Sequence, residues 1–204
     1  RIGVFSIMAI FRLMQKFELS IEEVDAITGP ITGRPKSATF RTCDLVGLDT
    51  LVKVAQGVGQ HCPQDEMNDW FAIPDFLQKM LDNQWLGDKT GQGFYKKSKA
   101  DDGQRLIQAL DLKSLEYAPK AKIRAQKIGE ARQLPSLAKQ IAYLFEGGDK
   151  LSDFYKEVTT AILIYSAHRI PEIADEVYQV DEALKAGFGW ELGPFETGDS
   201  LGFD

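Results

Sequence analysis

The sequence predicts an all-α fold in which one helical unit occurs twice, with the second copy truncated. Three observations lead there. Apolar residues recur at helical spacing through most of the chain, stretches that alternate apolar with polar residues are scarce, and the chain repeats part of itself. At 204 residues, 44% hydrophobic and 26% charged, it is long enough to close a core and too apolar to be a wholly disordered polymer.

From Ile2 to Phe17, eleven of sixteen residues are apolar, which predicts a helix buried nearly all round. The run is shorter than the ~20 residues a membrane span needs and contains Arg12, so no span is expected. Ser20-Ile21-Glu22-Glu23 is a capping box: the Ser20 hydroxyl accepts the Glu23 amide and the Glu23 carboxylate reaches back. A short second helix starts there and ends before Gly29-Pro30, because proline cannot continue the ladder. Pro30 to Pro35 reads as a loop. Ser37 to Val58 then carries a helical stripe at Leu45, Leu48, Leu51, Val52 and Ala55. Pro74 opens a further helix, with Phe76, Leu77, Met80, Leu81 and Trp85 on one face and Gly87 after it. Gly91-Gln92-Gly93-Phe94-Tyr95 is a tight glycine turn running into an aromatic pair. Lys96 to Gly103 is polar and reads as linker, within a connecting region, 98–150, that holds one helix capped by Ser136 and stopped at Gly147-Gly148. Ser152 caps a long helix from Asp153 to about His168, and an acidic helix covers Ile173–Leu184. The domain reading is 1–97, then 98–150, then 151–204.

The repeat is specific. Val24-Asp25 recurs as Val180-Asp181, and the decapeptide beginning at Phe40 recurs at Phe195 with one residue of slack between the two matches. Phe40, Thr42, Asp44, Gly47 and Asp49 match Phe195, Thr197, Asp199, Gly202 and Asp204. Each copy follows an apolar helix and then an acidic one, and the unit is far too long for a solenoid period. The pattern fits structural roles: the aromatic anchors a loop to the core, the hydroxyl and first Asp suit a helix start, and the glycine permits close packing. Asp44 and Asp49 as catalytic acids or metal ligands is the weaker alternative, since five residues apart on a helix they face different ways and no histidine lies nearby.

Charge is uneven within a net of −6. Pro119 to Lys139 holds six bases and one acid, whereas Pro171 to Asp204 holds nine acids and one base, Lys185. The acidic balance argues against a general nucleic-acid binder, and the short Gly33-Arg34-Pro35-Lys36 segment does not reverse it. The basic stretch is read as a solvated face, with contact to a polyanion or to the acidic tail as the sharper alternative. Gly187 to Gly193 has the wrong spacing for a dinucleotide fingerprint and follows a helix where that motif needs a strand. His61 beside Cys62 and His168 at a helix end complete no catalytic or metal set, so no catalytic or metal-ligating residue is assigned. Cys43 and Cys62 supply no disulfide framework, which favours a reduced, cytoplasmic setting. The chain opens on Arg1-Ile2-Gly3-Val4, already within a helical pattern and without an initiator Met, and reads as part of something longer.

Asp44-Leu45-Val46-Gly47-Leu48-Asp49-Thr50, Lys89-Thr90-Gly91-Gln92-Gly93-Phe94-Tyr95 and Gly193-Pro194-Phe195-Glu196 together resemble the C-terminal helical domain of 3-hydroxyacyl-CoA dehydrogenases. The likeness runs over Arg1 to Lys97 and resumes from about Asp153, as in bacterial fatty-acid oxidation proteins in which the dehydrogenase is fused to an enoyl-CoA hydratase. The first copy departs from it at Pro35-Lys36-Ser37-Ala38-Thr39, which stands where Gly-Pro-Phe is commoner. The resemblance implies a separate Rossmann domain that binds NAD and contributes a catalytic His–Glu pair. It implies hydride transfer from a 3-hydroxyacyl-CoA to NAD, an acyl-CoA substrate, and a helical domain that closes over the substrate and mediates dimerisation, as a homodimer or as an intramolecular pseudo-dimer. By itself the chain is then inactive. Lys89 matches a lysine that approaches the cofactor across the cleft, and the near end of the first helix lines that cleft. A non-catalytic helical interaction module is the alternative function.

Overall fold

In the computed structural model, residues 1–99 and 103–203 are described, and they form a mostly helical molecule around one continuous apolar core. Asp204, the last match of the repeat, lies outside the described residues.

Helix α1 (Ile2–Lys16) is the axle. Within it only Arg12, Gln15 and Lys16 are exposed, as a run without a polar face requires. Phe5 stacks on Tyr165, ring centroids 3.8 Å apart, and Phe11 stacks on Phe40 at 5.5 Å with Phe76 and Phe94 around it. Helix α2 (Ile21–Ile27) starts on the Ser20 capping box and ends at Thr28, before a single 3₁₀ turn at Pro30–Thr32. The stripe from Ser37 to Val58 is two helices, α3 (Phe40–Val46) and α4 (Leu48–His61), because Gly47 at φ +95° breaks the ladder between them. Helix α5 (Asp75–Asp82) buries Phe76, Leu77 and Met80.

The region 98–150, expected to hold one helix, departs from that expectation. It contains most of a three-stranded antiparallel sheet, β1 (Tyr95–Lys99), β2 (Arg105–Leu110) and β3 (Tyr117–Pro119), with Tyr95 opposite Ala109 and Gln108 opposite Pro119. Lys96 to Lys99 is therefore strand. It gives no alternating signal because it is polar on both faces and pairs through its backbone. Two helices follow, α6 (Gln126–Ala131) and α7 (Leu137–Phe145), the second capped by Ser136 as the sequence indicates.

Helix α8 (Lys150–Ala167) begins earlier than Asp153, because the Asp149 carboxylate caps it by accepting the Ser152 amide at 2.8 Å. It lies antiparallel to α1: Phe5 meets Tyr165 near one end, while Phe17 meets Phe154 and Lys16 pairs with Glu157 at the other. Helix α9 (Val177–Phe188) starts on Glu176 and Gln179, several residues later than Ile173, and α10 (Pro194–Ser200) closes the described chain. The Phe188 ring covers Gly3, where a Cβ would come within 2.1 Å of it. No helix among the described residues is long and apolar enough to cross a membrane.

Candidate functional site

Two sequence motifs interlock around Asp44. Its side chain, on α3, lies in a residue only 1% exposed and accepts the Phe94 amide at 2.8 Å and the Tyr95 amide at 2.9 Å. The chain can approach that closely only as glycine: a Cβ on Gly93 would stand 2.1 Å from Asp44 Oδ1, and one on Gly87 would stand 2.3 Å from the Asp44 carbonyl oxygen. Gly87 and Gly93 are thus required by the approach of Asp44, and the first aspartate of the repeated decapeptide is a structural clamp. Burial pushes the Asp44 carboxyl up to about 6, against the two amides that favour its charge.

The clamp fixes the turn that carries Lys89. Leu48 donates its amide to the Leu86 carbonyl at 3.1 Å, the Thr90 hydroxyl accepts the Leu86 amide at 3.0 Å, and Arg41 holds Asp88 through both guanidinium nitrogens. Lys89 therefore sits on a braced turn, its side chain laid along Gly47 and its ammonium paired with Asp49. It is not buried: the side chain is 46% exposed, and Leu45 and Val46, next to Gly47 in sequence, are 58% and 54% exposed. The Lys89 ammonium holds the Asp49 carboxyl below its ordinary range. Asp49, on α4, and Asp44, on α3, occupy separate helices and do different things.

A second aspartate works the same way. Asp25 Oδ1, from α2, accepts the Thr39 and Phe40 amides at 3.0 and 2.8 Å, and its Oδ2 accepts the Tyr95 hydroxyl at 2.7 Å. Burial pushes it to about 6 as well. On α9, Asp181 accepts the Phe195 and Glu196 amides at 2.9 and 3.1 Å, at the start of α10. Counted from the aspartate, both pairs of bonds keep the same spacing, 14 and 15 residues on. Ala38 takes φ +50° immediately before Thr39 and Phe40, whose amides bond to Asp25.

Residues 1–97 match the family described as 3-hydroxyacyl-CoA dehydrogenase, C-terminal domain. That match takes in 97 of the 204 residues. It is 41% identical over 202 residues to a protein of Bacillus subtilis named as a 3-hydroxyacyl-CoA dehydrogenase, covering 99% of this chain and 25% of that protein. A protein of Deinococcus radiodurans with the same kind of name is 46% identical over 99 residues, 48% of this chain and 28% of its own length. At 23% identity over 199 residues, 96% of this chain and 26% of the relative, the chain also matches a Rickettsia prowazekii protein named as a fatty acid oxidation complex trifunctional enzyme. The chain thus spans about a quarter of the length of the curated relatives it matches. No solved structure matches it.

The other sequence candidates fall outside the Lys89 face. The near end of α1 is covered: Ile2, Val4 and Phe5 are buried, and only Arg1 reaches a polar recess of about 430 Å³, where it meets Cys62, Asp65 and Glu172. Of this end of the chain only Arg1 therefore borders that recess. His61 borders the same recess, and His168 Nδ1 lies 2.9 Å from Glu66 on the surface. Arg169, nearly buried, ties Asp65, Glu66 and Glu172 together, so the acids near both histidines are already paired. Cys43 is buried, which raises its thiol well above the ordinary value and keeps it protonated. Gly189 ends α9 in a left-handed conformation, a helix-exit role with no phosphate loop around it. Among the described residues no group of three or more His, Cys, Asp or Glu side chains could hold a metal ion. Sequence reading missed the clamps by Asp25 and Asp44; the signal available was a buried-type acid in each motif opposite a G-x-G-F-Y turn.

Proposed function

We propose that the chain is the helical, non-catalytic part of an NAD-dependent (S)-3-hydroxyacyl-CoA dehydrogenase of fatty-acid β-oxidation. On this reading it shuts against a nucleotide-binding domain while a 3-hydroxyacyl-CoA is oxidised to the 3-oxoacyl-CoA. The observation that carries the reading is the Lys89 face: an exposed ammonium on a braced turn, with Asp49 as its partner, beside the exposed side chains of Leu45 and Val46. Apolar surface flanking a positioned cation fits a domain that carries an anionic cofactor. When bound, NAD supplies the acceptor for the C3 hydride, and the general base belongs to the nucleotide-binding domain. What this chain contributes is closure: Leu45 and Val46 exclude water, and Lys89 exchanges its hold on Asp49 for a phosphate or ribose oxygen.

The test is Lys89→Ala in the longer protein. Loss of one charge-assisted hydrogen bond predicts a roughly ten- to hundredfold rise in KM for NAD or fall in turnover. An unchanged enzyme leaves the interaction-module alternative standing. The purified 204-residue chain alone should oxidise no 3-hydroxyacyl-CoA.

We also read residues 151–203 as a partial second copy packed on the first about an approximate two-fold axis, an intramolecular pseudo-dimer. Support comes from the antiparallel α1–α8 pair and from equivalent positions that meet. Gly33 and Gly189 are both left-handed helix exits, the Gly33 carbonyl accepts the Glu191 amide at 2.8 Å, and the Arg34 guanidinium lies over the Trp190 ring. Sedimentation of the chain as a monomer is the expected outcome. Free Cys43 and Cys62 thiols accord with the cytoplasm as its compartment.

A further inference from the structure

The basic stretch finds its place beside a groove of about 640 Å³ between α2, the loop entering α3, the Asp88–Gly91 turn and the sheet. Five cations line it, Lys36, Arg41, Lys97, Lys120 and Lys122, drawn from three separate parts of a chain whose net charge is −6. Its three acids are engaged already. Asp88 is held by Arg41, Glu22 accepts the Ala121 amide at 3.1 Å, and Asp25 serves Thr39, Phe40 and Tyr95. Lys120 lies over the Tyr95 ring at 4.4 Å, while Lys36, Lys97 and Lys122 make no ion pair among the described residues. Between these cations the wall is apolar, formed by Ala26, Ala38, Ile107 and Ile123, with Ile107 well exposed.

A basic rim around an apolar wall suits a ligand with several anionic groups on a flat, weakly polar body. Asp88 and Gly91, which flank Lys89, line the same groove, so it runs up to the turn that bears that lysine. We propose that this groove binds the phosphorylated end of an adenine nucleotide, the chemistry shared by a CoA thioester and NAD, with phosphates on Lys36, Lys97 and Lys122 and the base against Ile107 and Ile123. The choice of a nucleotide among polyanions rests on the dehydrogenase reading above; the anion site itself rests on charge and shape. Attraction of this kind is long-ranged and weakened by salt.

Calorimetry on the 204-residue chain tests it, with 3′-phosphoadenosine 5′-phosphate, NAD and inorganic phosphate as probes. A nucleotide binds more tightly than phosphate, and added salt weakens it. The double variant Lys36→Ala/Lys122→Ala reduces the affinity about tenfold or more, whereas Lys53→Ala, an exposed lysine of α4 outside the groove, does not. Preference for the bisphosphate assigns the groove to the CoA end, and preference for NAD assigns it to the dinucleotide. Either supports the site. No detectable binding, phosphate binding as tightly as both nucleotides, or an unaffected double variant overturns it. In the longer protein the two readings separate. Loss of the Lys89→Ala effect with groove binding intact removes the dehydrogenase role alone, and the reverse removes only the groove.

Discussion

Replacing Gly93 by alanine probes the Asp44 clamp directly. The new methyl would stand 2.1 Å from Asp44 Oδ1 and 2.7 Å from Gly87 Cα, so the carboxylate must retreat by about 1 Å to reach ordinary contact. That movement breaks the bonds from the Phe94 and Tyr95 amides, now 2.8 and 2.9 Å, in a site closed to water. Hydrogen bonds to a charged group contribute about 1.5–3 kcal/mol each, so the expected loss is about 3–6 kcal/mol. That is a large share of the roughly 5–15 kcal/mol that holds a typical domain folded. Gly91 is the internal control. It lies in the same motif at φ +80°, but nothing stands within 4 Å of a Cβ there, so Gly91→Ala meets only backbone strain of about 1 kcal/mol. Urea unfolding of the two variants, extrapolated linearly to water, measures both. Making Gly93→Ala on an Asp44→Ala background completes a cycle in which the share of the cost due to the Asp44 carboxylate should vanish, while the 2.7 Å approach to Gly87 Cα remains. The reasoning is refuted if Gly93→Ala costs no more than Gly91→Ala, or if its cost is undiminished on the Asp44→Ala background.

The remaining predictions concern protons and the core. Burial holds Asp25 and Asp44 near 6 in the folded state against an ordinary 3.8, so the native state binds protons the unfolded chain has lost between those values. Their contribution to stability is therefore fully present below about 3.8 and is lost as pH rises through about 6. Carbon-13 titration of the two side-chain carboxyls should show midpoints near 6, and midpoints at or below 4 would contradict the burial argument. Phe5 ties α1 to Tyr165 of α8 and to Trp70 and Phe71, so Phe5→Ala should cost about 3–5 kcal/mol. The chain should also unfold in a single transition; separate melting of the 151–203 region in the unsubstituted protein would deny that the two parts share one core.

The elements legible in the sequence are those whose causes lie within a turn or two of chain. The Ser20 box, the mostly apolar run of α1, the Ser136 cap and the glycine turn at Gly91–Gly93 depend on neighbours three or four residues away, and the structure has them where the residues say. The family was legible too, since three short motifs together point to it and residues 1–97 match it. Tertiary contact decided the rest. Asp44 meets Phe94 and Tyr95, Lys89 meets Asp49, and Lys36 comes to share a groove with Lys97 and Lys122, each across tens of residues. The polar strand β1 exists because β2 offers it backbone partners. Capping and helical periodicity are written in adjacent side chains, whereas these pairings depend on the path the chain takes between them, and that path is set by how α1 is buried from all sides.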